Sequence, residues 1–596
     1  MPRPNQSFRK PKSLKKGLGK LIPYVKPYFI WILFAIVLSI VGALGSLFGP
    51  RLLGEITKEC QKRVANLAID FTYIKNLGIA LICIYTCSAF GNYIASFILT
   101  GVTQRISYKL RRDISEKINR IPLRYFDSTS YGDLLSRVTN DVDSISQNLN
   151  QSLVNTFSSV ILLIGVFVMM FTISWQMAFI CVVSIPLSLI ALILIVKNSQ
   201  KFFRAQQQSL GDLNAHIEEA YSGHQVIVAY HQEEATYQQF EECNQSLKNS
   251  AWKSQFASGL MMPIMGFIGN ASYITICFLG GMLVVSGLAG VEFIQMFIQY
   301  SRMANQPLQT IGQIANVLQS CAAASERVFE FLEEEELSKD EVTAILDKSE
   351  VKGNVCFSEV NFGYYEDKQI IFNFNCDVKT GMKVAIVGPT GAGKTTLVNL
   401  LMRFYEVNSG TISIDSIPTK DLSRNNISAL FGMVLQDTWL FEGTLRDNLR
   451  FGNFDASDEQ IMRCLEACHM DHFVKSLPGG LDYVLDETAN ISAGQKQLLT
   501  IARAMVEDSP MLILDEATSS VDTRTEELIQ KAMDHLMEGR TSFVIAHRLS
   551  TIKNADVILV LKDGNIIEQG NHEALLEKNG FYAELYNSQF SSSFDA

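Results

Sequence analysis

Four stretches of the chain carry no Asp, Glu, Lys or Arg: residues 28–49, 76–104, 144–196 and 254–291. A helix needs about 20 apolar residues to cross a bilayer, so each of the first two holds one span. The third is too long for one span and reads as a hairpin, "SLVNTFSSVILLIGVFVMMF" then "QMAFICVVSIPLSLIALILIV", turning near "TISWQ". The fourth supplies a fifth span, breaks at "SGLAG", and continues into a sixth, "VEFIQMFIQYSRM". Six membrane helices are therefore expected, with an external loop at 50–75 after the first.

Two polar stretches of helical period separate the second span from the third and the fourth from the fifth. As helical hairpins rising 1.5 Å per residue, they reach about 35–40 Å beyond the bilayer. Their turns fall in "IPLRYFDSTSYGDLLSRVTNDV" and "NAHIEEAYSGHQVIVAY". After the sixth span, "SERVFEFLEEEELSKDE" leads out of the membrane region, and its glutamate run reads as a solvated linker. From Val351 the pattern changes to short β-branched runs such as "MKVAIVG" and "PMLILDE" that alternate with helical segments, the mark of an α/β domain. The expected division is a basic tail at 1–27, six membrane helices over 28–330, a linker at 331–350 and an α/β domain at 351–596.

Composition agrees with a membrane protein: 47% of the 596 residues are hydrophobic and 19% charged, against roughly 25% charged in an ordinary soluble domain. The first apolar segment exceeds the roughly 7–15 residues of a signal-peptide core and is read as a retained span. The tail before Tyr28 is rich in Lys and Arg and has no acid, which places it in the cytoplasm. Six spans return the chain to that side. A net charge of -10 and the absence of a basic stripe with interleaved aromatics argue against a nucleic-acid partner. The cysteines show neither zinc-ribbon nor redox spacing. Cys464, Cys468 and His472 share a helical face, for which packing is the better reading than a three-ligand metal site.

The chemistry lies in the α/β half. "GPTGAGKTT" at 388–396 fits G-x-x-x-x-G-K-[ST], follows the strand "KVAIV" and opens the helix "LVNLLMRFY". Such a loop (Gly388, Pro389, Thr390, Gly391, Ala392, Gly393, Lys394, Thr395, Thr396) wraps phosphates with backbone amides. Lys394 reaches the β and γ oxygens, and the Thr395 hydroxyl holds Mg²⁺. Downstream, "MLILDE" puts Asp515 at a strand end for the magnesium shell and Glu516 beside it to polarise water. His547, in "VIAHRLS", follows another strand within reach of the γ-phosphate. ATP and Mg²⁺ are the cofactors these motifs call for.

With these motifs the chain resembles the ATP-binding cassette (ABC) exporters, from about Lys20 to Phe590. The resemblance implies an all-α six-helix transmembrane domain with long cytoplasmic extensions, followed by an α/β P-loop cassette. "NFGYYED" is similar to the family's adenine-stacking loop, which makes Tyr364 the stacker. "VLQDTWLF" resembles its glutamine loop, which makes Gln436 a magnesium ligand and a sensor facing the membrane helices. "SSVD" resembles the D-loop, with Asp522 at the subunit boundary. "YFDSTSYGDLLSR" and "EEAYSGHQ" resemble the two coupling-helix regions. "ISAGQ" resembles the family's "LSGGQ" signature, whose helix start binds the γ-phosphate of ATP held by the other subunit, and Ser492, Ala493, Gly494 and Gln495 then work in trans. One cassette on six spans makes a half-transporter in the cytoplasmic membrane that must pair with a second.

The signature departs from the pattern at Ile491 and Ala493, whereas Lys394, Thr395, Gln436, Asp515, Glu516 and His547 all match. This combination resembles the catalytically complete chain of heterodimeric bacterial multidrug exporters, with a homodimer as the alternative. Along the sixth span, Gln295, Gln299, Arg302 and Gln306 recur by four and three residues on one face. The face is expected to line the path of an amphipathic substrate, and hydrogen bonding between helices is its alternative reading. Six fused spans exclude a soluble nucleic-acid-directed ATPase, and Glu516 with His547 argues against a receptor that only senses nucleotide. Uptake, or lipid or peptide translocation, by the same fold stays open as the alternative, and drug-like compounds, lipids and hydrophobic peptides all stay open as substrates.

Overall fold

A computed structural model describes residues 14–590 apart from 63–68, 289, 341, 366–367, 437, 487–490, 516–521 and 547–548. The chain divides into two units: residues 1–119 with 130–334, and residues 120–129 with 335–596.

The first unit is helical. A short α1 (Leu14–Val25) precedes the long helices α2 (Phe29–Gln61) and α3 (Phe71–Ile118). The chain then forms α4 (Leu123–Ser128), which belongs to the second unit, and returns through α5 (Tyr131–Ser136). α6 (Val142–Ile173) and α7 (Trp175–Ser222) form the expected hairpin, broken at Ser174, whose extended backbone (φ -157°, ψ 117°) cannot continue a helix. α8 (His224–Ala229), α9 (Glu233–Gly259), α10 (Met261–Val285) and α11 (Val291–Leu332) complete the unit. At 48 residues each, α3 and α7 run about 72 Å, more than twice a hydrocarbon core. Among the described residues, four helical stretches are long and apolar enough to cross a membrane: Gly17–Gln61, Phe71–Ile118, Tyr131–Ile173 and Glu233–Val285.

The first span does not end where the charges begin. α2 continues through Pro50 and Arg51 to Gln61, so the expected loop at 50–75 is partly helix. Packing against α11 explains this: the buried Tyr300 hydroxyl donates to the Leu47 carbonyl at 2.8 Å, and the Thr57 hydroxyl donates to Gln295. Small residues let α3 approach α2, where Ser88 Oγ donates to the Gly42 carbonyl at 2.7 Å. The turn is closed by Glu59, which accepts from the Asp70 amide at 3.2 Å and pairs with Lys62 at 2.7 Å. Near the other end of α11, Arg327 meets Asp133 and Asp141 at 2.9 and 3.1 Å.

The second unit is built on strands β1 (Val355–Phe362), β2 (Ile371–Val378), β3 (Lys383–Val387), β4 (Ser409–Ile414), β5 (Ile417–Pro418) and β6 (Phe431–Val434). They are followed by β7 (Gly443–Thr444), β8 (Val484–Leu485), β9 (Met511–Asp515), β10 (Thr541–Ile545), β11 (Val557–Lys562) and β12 (Asn565–Gly570). The main sheet runs β12-β11-β3-β10-β9-β6, parallel except for the β11–β12 hairpin, and a smaller antiparallel sheet runs β2-β1-β4-β5. Successive strand residues point to opposite faces. Ala385, Val387, Leu512, Leu514 and Val544 fill one core, and Val384, Ile386, Ile513, Phe543 and Ile545 fill the other. Burial on both faces is what continuous apolar strands encode.

The segment read as a solvated linker is engaged along most of its length. Glu333 ends α11 paired with Lys20 at 2.5 Å. Beyond it, Asp340 accepts from the Arg424 amide and guanidinium at 2.9 and 2.7 Å. Asn426 brackets Leu346, accepting from its amide at 3.0 Å and donating to its carbonyl at 2.8 Å. Those hydrogen bonds fix the chain's approach to β1.

Candidate nucleotide site

The phosphate loop sits between the C-terminal end of β3 and the N-terminus of α12 (Lys394–Leu401). Its glycines are needed for backbone shape: Gly388 has φ 157° and Gly393 φ 100°, and a side chain at Gly388 would run into the Leu561 carbonyl. Lys394 Nζ donates to the carbonyls of Gly388 and Pro389 at 2.7 and 3.1 Å, across the mouth of its own loop. Burial lowers the Lys394 pKa, opposed by the charge of Asp515 at the end of β9. A partly desolvated ammonium facing an acid, with Thr395 exposed at the helix start, suits a triphosphate and its cation. Gln436 is exposed just beyond β6. Glu516 and His547 lie outside the described residues.

Tyr364 is held edge-on by two rings, Phe362 at 5.0 Å and 82° and Tyr405 at 4.9 Å and 83°. Its hydroxyl lies 3.2 Å from that of Thr396, the buried threonine next to Thr395. The proposed base end and phosphate end are thus tied within one cluster. Tyr405 itself was not among the sequence candidates. Its one signal is an aromatic pair, Phe404–Tyr405, where the phosphate-loop helix gives way to β4.

Farther along come α13 (Arg424–Leu430), α14 (Leu445–Arg450), α15 (Asp458–Ala467), α16 (Asp471–Ser476), the signature helix α17 (Ala493–Glu507) and α18 (Thr523–Met537). Ser492 caps α17: its hydroxyl accepts from the Gln495 amide at 3.2 Å, and the Gln495 side chain accepts from the Ser492 amide at 3.0 Å. With a lone pair engaged, the Ser492 proton is free to donate outward. Ser492 and Ala493 are exposed, while Gly494 and most of the helix beyond Lys496 are buried. Asp522 caps α18 by accepting from the Thr525 amide at 3.0 Å, which lowers its pKa. Cys468 packs in the core against Met505, Sγ to Sδ 3.6 Å, and burial pushes its thiol to about 12.

In the sixth span Gln295 makes the interhelical bond to Thr57, Gln299 is half-buried and Arg302 is exposed, with no acidic partner among the described residues. The Gln306 side chain lies outside the described residues.

Long membrane helices joined to a parallel-sheet domain with a phosphate loop and a separate capped signature helix define a membrane-embedded P-loop ATPase. Residues 32–308 match the ABC transporter transmembrane region and residues 371–519 the ABC transporter domain. The chain is 42% identical over 523 residues to a fatty acid ABC transporter ATP-binding/permease protein of Mycobacterium bovis, covering 88% of this chain and 82% of that one. It is 38% identical to an uncharacterized ABC transporter ATP-binding protein of Bacillus subtilis, over 98% and 95% of the two chains. It is 34% identical to an ATP-dependent lipid A-core flippase of Desulfotalea psychrophila, over 97% and 99%. The chain belongs to the ABC transporter family, as an exporter-type half-transporter with a multi-pass membrane domain and a cytoplasmic ATPase domain.

Proposed function

We propose that this chain is the catalytically complete half of a dimeric pump that uses ATP to export an amphipathic, lipid-like compound. Relatives named for fatty acids and for lipid A-core support that substrate class. One observation carries the dimer: the start of α17 is exposed, with Ser492 capping it through an oxygen lone pair, a role that does not use its hydroxyl proton. A helix N-terminus so arranged attracts a phosphate brought by a partner. Magnesium held by Thr395, Gln436 and Asp515 would neutralise charge on the β and γ oxygens. Lys394 neutralises the same oxygens, Glu516 polarises the attacking water and His547 orients against the γ-phosphate. Tyr364 stacks on adenine, and Asp522 lies at the subunit boundary. Gln299 and Arg302 face the transport path, since a charge within a span with no acidic partner among the described residues is costly unless it meets water or substrate.

The experiment is Glu516→Gln in the reconstituted dimer, with ATPase stimulation measured across fatty acids, phospholipids and drug-like amines. Hydrolysis should fall by orders of magnitude while ATP binding persists. Turnover near the normal rate would overturn the assignment of the base. The partner is expected to be a different half-transporter, because Ala493 departs from the glycine of the signature. An active homodimer purified from this chain alone would exclude that.

A further inference from the structure

Lys197 is the first charge after the apolar run of the third and fourth spans, and Lys253 is the last before the fifth. Both stand where α7 and α9 pass from hydrocarbon to cytoplasm. On α7 the next charges, Lys201 and Arg204, follow by four and three residues and continue the face that Lys197 begins. All four side chains are exposed, and none makes an ion pair among the described residues. The next acid along α7 is Asp212 and the nearest before Lys253 is Glu242, about 12 and 16 Å away along their helices and beyond a screening length of about 8 Å. Asp143, near the start of α6, is already paired with Arg111 at 2.5 Å. Two contacts hold α7 and α9 in register: the Ser209 and Ser246 hydroxyls lie 3.2 Å apart, and His216 Nε2 donates to the Thr236 carbonyl at 3.1 Å. Followed antiparallel from there, Lys201 comes level with Lys253 and Ser254. The same level of α9 carries Trp252 and Phe256, exposed and stacked at 5.4 Å and 7°.

We infer that this junction of α7 and α9 binds the headgroup of an anionic phospholipid in the cytoplasmic leaflet. The lipid is a resident ligand rather than cargo, and its site lies on helices other than α11, which carries Gln299 and Arg302. Lys197 to Arg204 spans about 10 Å of helix, and lysine and arginine stems are long enough to bring their charges together on one phosphate at the membrane surface. Like charges at these spacings repel one another, so the bare stripe weakens α7 and a bound phosphate relieves it. Trp252 and Phe256 suit the boundary beside that phosphate, where a ring meets apolar chains on one side and water on the other. A zwitterionic headgroup brings its own cation and cancels most of the attraction.

The test follows the emission of Trp252 in the full chain. The other tryptophans, Trp31, Trp175 and Trp439, are exposed, and replacing them with Phe leaves Trp252 as the reporter. The protein is reconstituted in phosphatidylcholine vesicles containing rising fractions of phosphatidylglycerol or phosphatidylcholine brominated in the acyl chains, which quench a tryptophan in contact. A cation near an anionic surface is worth about fivefold, so two or more should make phosphatidylglycerol quench at about a tenfold lower fraction than phosphatidylcholine. High salt should shrink that preference. Lys201→Gln should cut it to about twofold, Lys201→Gln with Arg204→Gln should abolish it, and Lys201→Arg should keep it. Lys26→Gln, which removes an exposed charge beside the first span, should leave it unchanged. Thermal unfolding of each variant in detergent checks the fold. Equal quenching by the two lipids, a preference that survives loss of both cations, or an equal loss with Lys26→Gln would overturn the site. So would a preference that vanishes once a second half-transporter is bound, since the partner would then cover this face. None of these readouts depends on turnover, so the pump reading is tested separately.

Discussion

Replacing Ser492 with Ala removes two things that separate variants can tell apart. The first is the cap: the hydroxyl accepts from the Gln495 amide, and losing an N-cap oxygen costs about 1 kcal/mol. In a domain of this size that lowers Tm by about 2–4 °C. The second is the outward hydroxyl proton proposed for the partner's γ-phosphate, a hydrogen bond to a charged group worth about 1.5–3 kcal/mol. If both sites of the dimer relied on this serine, turnover would fall about ten- to a hundredfold. If this chain contributes it only to a weakened site, the fall should stay within about threefold, since the barrier at the other site is untouched. Ser492→Gly costs only a few tenths of a kcal/mol as a cap but also lacks the hydroxyl, so it isolates the phosphate contact. Ser492→Thr restores both oxygen and proton and should recover activity. The assay is steady-state ATPase on reconstituted protein, with thermal unfolding in parallel. A chain that is active when purified alone, and that loses more than tenfold with Ser492→Gly at unchanged Tm, would refute the asymmetric reading.

Asn426→Ala should release the Leu346 end of the approach to β1, losing two hydrogen bonds and about 1–3 kcal/mol of cassette stability, seen as a lower Tm. Ile513→Ala, in the fully buried middle of β9, should cost about 2–5 kcal/mol and reduce yield before it alters KM. His572 has its pKa lowered by burial first and then by Lys553, and it shares a 2.7 Å hydrogen bond with Tyr582. A histidine depressed in the fold contributes stability that is full above the unfolded pKa of about 6.5 and is lost as pH falls from there towards the folded value. His572→Gln should therefore flatten the fall in Tm below about pH 6.5, and an unchanged slope would show that the acid sensitivity lies elsewhere.

The membrane hairpins and the phosphate loop were legible because each rests on a local rule. Ser174 and the "SGLAG" break stand out from apolar runs long enough to need a turn, and the glycines of 388–393 are demanded by backbone angles that few other residues adopt. The end of α2 was not legible. Arg51, Glu55 and Lys58 look like loop in one dimension, but a helix already begun extends cheaply and is held by Tyr300 and Gln295 on α11. The same contact engages Gln295, one residue of the polar stripe, with another helix, and spacing alone does not say which amide is engaged in that way.

The hydrogen-bond partners of Asp340, Leu346 and Asp127 escaped the sequence for a common reason. Each lies in a short segment without strong propensity, whose structure is supplied by a partner far away in the chain: Asp340 by Arg424, Leu346 by Asn426, Asp127 by Tyr405. None of these pairs leaves a periodic trace. Their shared feature is that each long-range hydrogen bond lands beside a residue fixed by a local rule. Asn426 bonds to the Ser423 cap of α13, and Tyr405 follows two residues after Arg403, whose φ of 55° sets the turn. Strained or capped positions are rigid, and a rigid position is where a polar segment arriving from elsewhere can be ordered at least entropic cost. On that argument the turn at Arg403 to Glu406 is the firm side of its contact, and α4 is the side it orders.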